Sequence, residues 1–76
     1  MNDIIDQDHI NILSNWLVNN AEILTSTAYI YANQFITVGI ATIGRLAKKI
    51  MKDSSFLISN GVSMDDAEEI ILAMKK

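Results

Sequence analysis

The chain reads as an all-α protein folded into a compact five-helix bundle, and three observations predict this. None of its 76 residues is proline, so no position removes a helical N–H or clashes with the preceding turn. Apolar residues recur three and four apart in each long stretch, which is the period of a helix face and not of a strand. Between those stretches lie glycines and clusters of Ser, Thr, Asn and Asp, the residues that stop and start helices. Half the residues are hydrophobic and a fifth are charged, which excludes a disordered chain. A chain of this length makes one domain and buries only about 60% of the surface its unfolded form exposes, so the core is small and a deep catalytic pocket is not expected.

Residues 1–7 read as a lead-in, with Ile4 and Ile5 available to pack back onto the body, and residues 8–76 as the single helical domain. Asp8 is placed to cap the first helix, on which Ile10, Leu13, Trp16 and Leu17 recur at helical spacing until Asn19-Asn20 ends it. Trp16 is expected to anchor the core. Thr25-Ser26-Thr27 reads as a capping cluster for a second helix over residues 28–37. On that helix Tyr31 and Phe35 stand four apart and share a face. Gly39 then stops it in the left-handed conformation that glycine adopts most easily, and Ile40 plugs the core from the turn.

Thr42 is placed to cap a third helix ending near Lys52. Ile43, Leu46, Ala47 and Ile50 face inward on it, leaving Arg45, Lys48, Lys49 and Lys52 as a basic outer face. Asp53 or Ser54 can cap a short fourth helix holding Phe56 and Leu57, and Asn60-Gly61 closes it ahead of Val62. Ser63 to Asp66 reads S-x-x-D, a capping box in which the acid reaches back to the cap N–H. The last helix, expected to be a long one, carries Asp65, Asp66, Glu68 and Glu69 in its first turns and Lys75 and Lys76 at its end, matching its dipole. Its buried stripe is Ala67, Ile70, Ile71 and Met74. Met51 and Met74 read as core filler, whereas Met64, just past the cap, reads as an exposed apolar contact beside the acids.

Charge and composition narrow the function. The net charge is −3 and the pI about 4.7, which disfavours the phosphate neutralisation that nucleic-acid binding requires. There is no cysteine, hence no disulfide framework and no thiolate metal site, and an intracellular, cytoplasmic setting is the expectation. The N-terminus carries acids where a secretory signal carries lysines.

Residues 23–44 carry no formal charge over 22 positions, close to the ~20 apolar residues of a membrane span. A small membrane-attached protein is therefore an alternative reading. Asn33 and Gln34 fall in the middle of that window, where a bilayer offers their amides no partner.

Catalysis has no constellation to work with. His9 is the lone histidine and reads as a surface or capping residue. Ser54, Ser55 and Ser63 have no histidine base nearby in sequence, and the carboxylates of the last helix lack the spacing and glycine of a calcium loop. No phosphate-binding glycine motif or Cys/His cluster occurs. The expectation is a protein with no enzymatic activity, cofactor or metal.

The order of the apolar landmarks resembles the sterile alpha motif, or SAM, domain family. The resemblance runs from Leu13 to Met74. It rests on Trp16-Leu17, Tyr31-x-x-x-Phe35-x-x-x-Gly39-Ile40, Leu46, Leu57-x-x-x-Gly61-Val62 and Ile70-Ile71-x-x-Met74. Family members carry small and basic residues at the start of the last helix, where this chain reads Gly61-Val62-Ser63-Met64-Asp65-Asp66, and here the basic charge sits on the third helix instead. What the resemblance implies is a five-helix protein-interaction module, commonly a self-associating one.

The residues themselves supply a route for such association. The face of Arg45, Lys48, Lys49 and Lys52 is opposite in sign to that of Asp65, Asp66, Glu68 and Glu69, and two unlike patches on one molecule can meet head to tail. The partner expected is therefore a protein, either a second copy or another helical domain. Two plainer readings stand beside this one: solvated helix faces with no partner, and a structural subunit docked into a larger assembly by its apolar surface.

Overall fold

In the computed structural model five α-helices follow one another: α1 (Asn2–Ala21), α2 (Thr25–Thr37), α3 (Ile43–Lys52), α4 (Phe56–Ser59) and α5 (Met64–Met74). The structure describes the backbone of residues 2–75 and the side chains of residues 7–75, and no strand occurs among them. The side chains of Ile4 and Ile5, given to a lead-in above, lie outside the described residues, as does Lys76.

Two helix ends are built alike, and they organise the bundle. Residues 35–40 read Phe-Ile-Thr-Val-Gly-Ile and residues 57–62 read Leu-Ile-Ser-Asn-Gly-Val. In the first, the Gly39 N–H donates to the Ile36 carbonyl at 3.0 Å and the Ile40 N–H to the Phe35 carbonyl at 2.8 Å. In the second, Gly61 donates to Ile58 at 3.1 Å and Val62 to Leu57 at 3.0 Å. Each is a Schellman ending, which satisfies two orphan carbonyls and brings the apolar residue after the glycine back onto the apolar residue five positions before itself. Both glycines take the φ this needs, +89° and +88°. The two endings lie together: the Gln34 amide donates to Asn60 Oδ1 at 3.4 Å, and the Phe35 ring stacks on Phe56 at 6.0 Å between centroids.

The core fills the space between these turns and α1. Leu13 and Leu17 of α1, Phe35 of α2, Leu46 of α3, Leu57 of α4 and Ile70 of α5 are the largest side chains wholly removed from water. Every helix thus contributes at least one wholly buried apolar side chain to one core. Ala28 and Ala32, both buried, put small side chains on the face of α2 that carries Tyr31 and Phe35, and α1 packs most extensively against this helix. The 11.3 Å radius of gyration matches the ~11 Å of a fully collapsed domain of this length.

Several sequence expectations are corrected. Helix α1 begins at Asn2, so residues 2–7 of the lead-in are helical and Asp8 lies inside the helix and not at its N-cap. It runs one residue past Asn20, to Ala21, because Ala21 and Ile23 are both buried and the chain reverses between them at Glu22, which accepts a φ of +56°. Helix α2 begins at Thr25, with Leu24 at its N-cap and no side-chain bond there. Thr25-Ser26-Thr27 therefore forms the first turn and not the cap. The longest helix is the first, at 20 residues, and the last has 11.

Trp16 is half-buried against the core and not inside it, as are Ile40, Ile71 and Met74. Met51 is 87% exposed, which excludes it as core filler. The uncharged window 23–44 is divided among a turn, the 13-residue α2, a second turn and the start of α3, and no helix among the described residues is long and apolar enough to cross a membrane.

Candidate interaction surfaces

The start of α5 is tied to α2 through one hydroxyl. Ser63 caps the helix, its Oγ accepting from the Asp66 N–H at 3.2 Å. In a capping box the Asp66 carboxylate would return a bond to the Ser63 N–H. Here Tyr31 stands between them: its hydroxyl donates to Asp66 Oδ2 at 2.6 Å and accepts from the Ser63 N–H at 3.4 Å. The box closes through a side chain 32 residues away in sequence. Tyr31 is buried, so this places a charge-assisted bond where water competes weakly.

This changes the make-up of the acidic patch. Asp66 is half-buried and committed internally, so it is a structural residue first. Asp65, Glu68 and Glu69 are exposed, as is Met64 at 79%. The exposed part of the patch is these four side chains.

The basic face lies on α3. Thr42 caps that helix, accepting from the Arg45 N–H at 3.2 Å, and burial of Leu46 and Ile50 fixes its rotation. Arg45, Lys48, Lys49 and Lys52 consequently all point to solvent, where with Ile40 they line a shallow cleft of about 250 Å³. Lys49 also turns its ammonium over the Phe56 ring, 5.7 Å from the centroid, a cation–π contact that fixes one of the three lysines.

Past Lys52 the chain turns on Asp53, whose carboxylate accepts from the Ser55 hydroxyl at 2.7 Å and from the Ser55 N–H at 3.1 Å. These two bonds, the hydroxyl's above all, hold its pKa below the ordinary value, and the charge of Lys49 adds to the effect. Asp53 and Ser54 were the expected caps for α4; the N-cap is Ser55, with no side-chain cap bond, and Asp53 orders the turn before that helix.

A third surface was not foreseen. Between α3 and α5 runs an apolar trough made of two adjoining clefts of about 390 and 340 Å³. Ala47, Ile50 and Met51 form its α3 wall, Ile71, Met74 and Lys75 its α5 wall, and Ser54, Ile71 and Lys75 border both clefts. Ile58, Met64, Ala67, Glu68 and Leu72 complete the second. Three of the chain's four methionines therefore meet one groove. Helical spacing alone did not reveal this groove, since it reads Met51 as core filler.

His9 is half-buried, and its Nδ1 is enclosed without a hydrogen-bond partner among the described residues. Among those residues no three His, Asp or Glu side chains converge where a metal ion could sit. No protein-family model matches the chain, and no curated protein and no solved structure matches it either.

Proposed function

We propose that this chain is a non-enzymatic protein–protein interaction module that self-associates head to tail. The basic α3 face of one copy meets the acidic start of α5 on the next. The observation that carries this reading is the separation of exposed charge onto two helices, with Arg45, Lys48, Lys49 and Lys52 on one and Asp65, Glu68 and Glu69 on the other. Because the patches differ, each copy keeps its other patch free after one contact, so that further copies can add. The SAM-like order of landmarks from Leu13 to Met74 supports the same class of function, and the lack of cysteine suits a reducing, intracellular compartment.

Charge reversal tests it. Arg45→Glu and Glu69→Arg should each weaken association at low salt, and equimolar mixing of the two single variants should restore a pairwise contact between their intact patches. Association unchanged in both single variants would exclude the reading.

A further inference from the structure

We propose that the basic cleft on α3 binds clustered phosphate groups, and that a cleft so occupied cannot hold the acidic patch of a neighbouring copy. The binding stands on the cleft alone, and only the competition rests on the self-association reading. Arg45, Lys48, Lys49 and Lys52 are all exposed and line the cleft with Ile40, and no acidic residue lines it with them. Arg45 and Lys48 stand three apart, as do Lys49 and Lys52, while Arg45 and Lys49 stand four apart, as do Lys48 and Lys52. Each such pair sets like charges side by side on a helix and destabilises it. The helix dipole accounts for only two of the four. Lys49 and Lys52 lie in the last turn, where cations are favoured, but Arg45 lies in the first turn, which holds no acid, and a cation there opposes the dipole. The Thr42 cap uses the Arg45 backbone N–H and not its side chain. A bound polyanion relieves the repulsion.

The cleft sets the form of the ligand. At about 250 Å³ it is smaller than the ~300–1,000 Å³ of pockets that enclose drug-sized molecules, so it suits a compact ion at an open surface. A single charge gains little from exposed cations. Several phosphates on one ligand engage several cations at once, and the planar Arg45 guanidinium can bind two of their oxygens together. Lys49 is already held over the Phe56 ring, 5.7 Å from its centroid, which lowers the ordering cost of binding. Asp53, next after Lys52, commits its carboxylate to Ser55 at 2.7 and 3.1 Å. A long polyanion fits less well, because the net charge of −3 repels it beyond the cleft.

A nuclear magnetic resonance titration of the full chain with sodium tripolyphosphate, against sodium chloride at matched ionic strength, tests the site. Saturable shifts should centre on residues 45–52. Arg45→Gln combined with Lys48→Gln should raise the dissociation constant about tenfold or more, with helical circular dichroism unchanged because both side chains are exposed. No saturable binding, shifts reproduced by chloride, or an affinity unmoved by the double substitution overturns the site. Glu69→Arg, which removes part of the acidic side of the head-to-tail contact, should bind tripolyphosphate no more weakly than the wild type. Sedimentation velocity at low salt reads the competition: tripolyphosphate should return oligomers to monomer where matched chloride does not, and oligomers that persist with the cleft saturated overturn it. A wild type that is monomeric without phosphate removes the self-association reading and the competition with it, and the titration still decides the site. Phosphatidylcholine vesicles containing phosphatidylinositol bisphosphate identify the source of the phosphates. Capture of the wild type by them points to a lipid headgroup, and tripolyphosphate binding without capture points to a free anion.

Discussion

The Tyr31 hydroxyl donates to Asp66 at 2.6 Å while accepting from the Ser63 N–H, so α2 holds the first turn of α5 through a single oxygen. Replacing Tyr31 with Phe keeps the buried ring and removes only that oxygen. The loss should be about 1–2 kcal/mol, the worth of a charge-assisted bond plus a stranded N–H. Asp66→Ala should cost a similar amount. Because both variants break one network, the double variant should cost about 1 kcal/mol less than their sum. Urea denaturation of the four proteins measures this, and strict additivity would show that the bond carries no energy.

Glycine substitutions should divide by backbone conformation. A Cβ at Gly39, Gly44 or Gly61 meets nothing within 4 Å, so sterics alone predict no difference among them. Gly39 and Gly61 sit at φ +89° and +88°, and alanine there should cost about 1 kcal/mol each. Gly44 lies in α3 with no such φ, and alanine should stabilise by about 0.5–1 kcal/mol. Glu22→Gly, at the left-handed end of α1, should also be neutral or stabilising. Thermal melts of the four variants check the ordering.

Much of this was legible in local chemistry. Gly39 and Gly61 were found because a left-handed helix end has few acceptable residues, and Thr42 and Ser63 because caps are short-range. The start of α1 was missed because Asp8 resembles a cap equally well inside a helix, and only the burial of Ile10, Leu13 and Leu17 decides how far the helix continues. Tyr31 was legible as core, yet its bond to Asp66 spans 35 residues and has no sequence period to reveal it. For the same reason the trough was hidden: Met51 and Met74 look alike in a wheel projection, and the position of α5 beside α3 decides which one is exposed. The two charged faces were read from spacing alone, with the exception of Asp66, which turned inward.

Helix α2 starts without a side-chain cap at Leu24, an exposed apolar residue. Leu24→Asp supplies an oxygen for the first-turn N–H groups and a negative charge at the dipole's positive end. A gain of about 0.5–1 kcal/mol is expected, visible as a higher urea midpoint with unchanged slope. Thr42→Ala and Ser63→Ala should move the midpoint down by a comparable amount.

Acid stability should depend on Ser55. The Asp53 carboxyl titrates below its ordinary value in the folded chain because Ser55 hydrogen-bonds its charged form. A pKa lower in the folded than the unfolded state gives stabilisation that is complete above the unfolded value, near 3.8, and is lost as pH falls through the folded one. Ser55→Ala should therefore lower stability at neutral pH and flatten the decline of stability below about pH 4. Parallel pH titrations of the urea midpoint test this, and identical slopes for the two proteins would contradict it.

The most direct measurement is sedimentation velocity on the unmodified chain, over a hundredfold range of concentration at low and at high salt. Head-to-tail docking of unlike faces predicts a sedimentation coefficient that climbs with concentration at low salt and falls back to that of the monomer at high salt. A single monomeric boundary under every condition would contradict self-association through the charged faces.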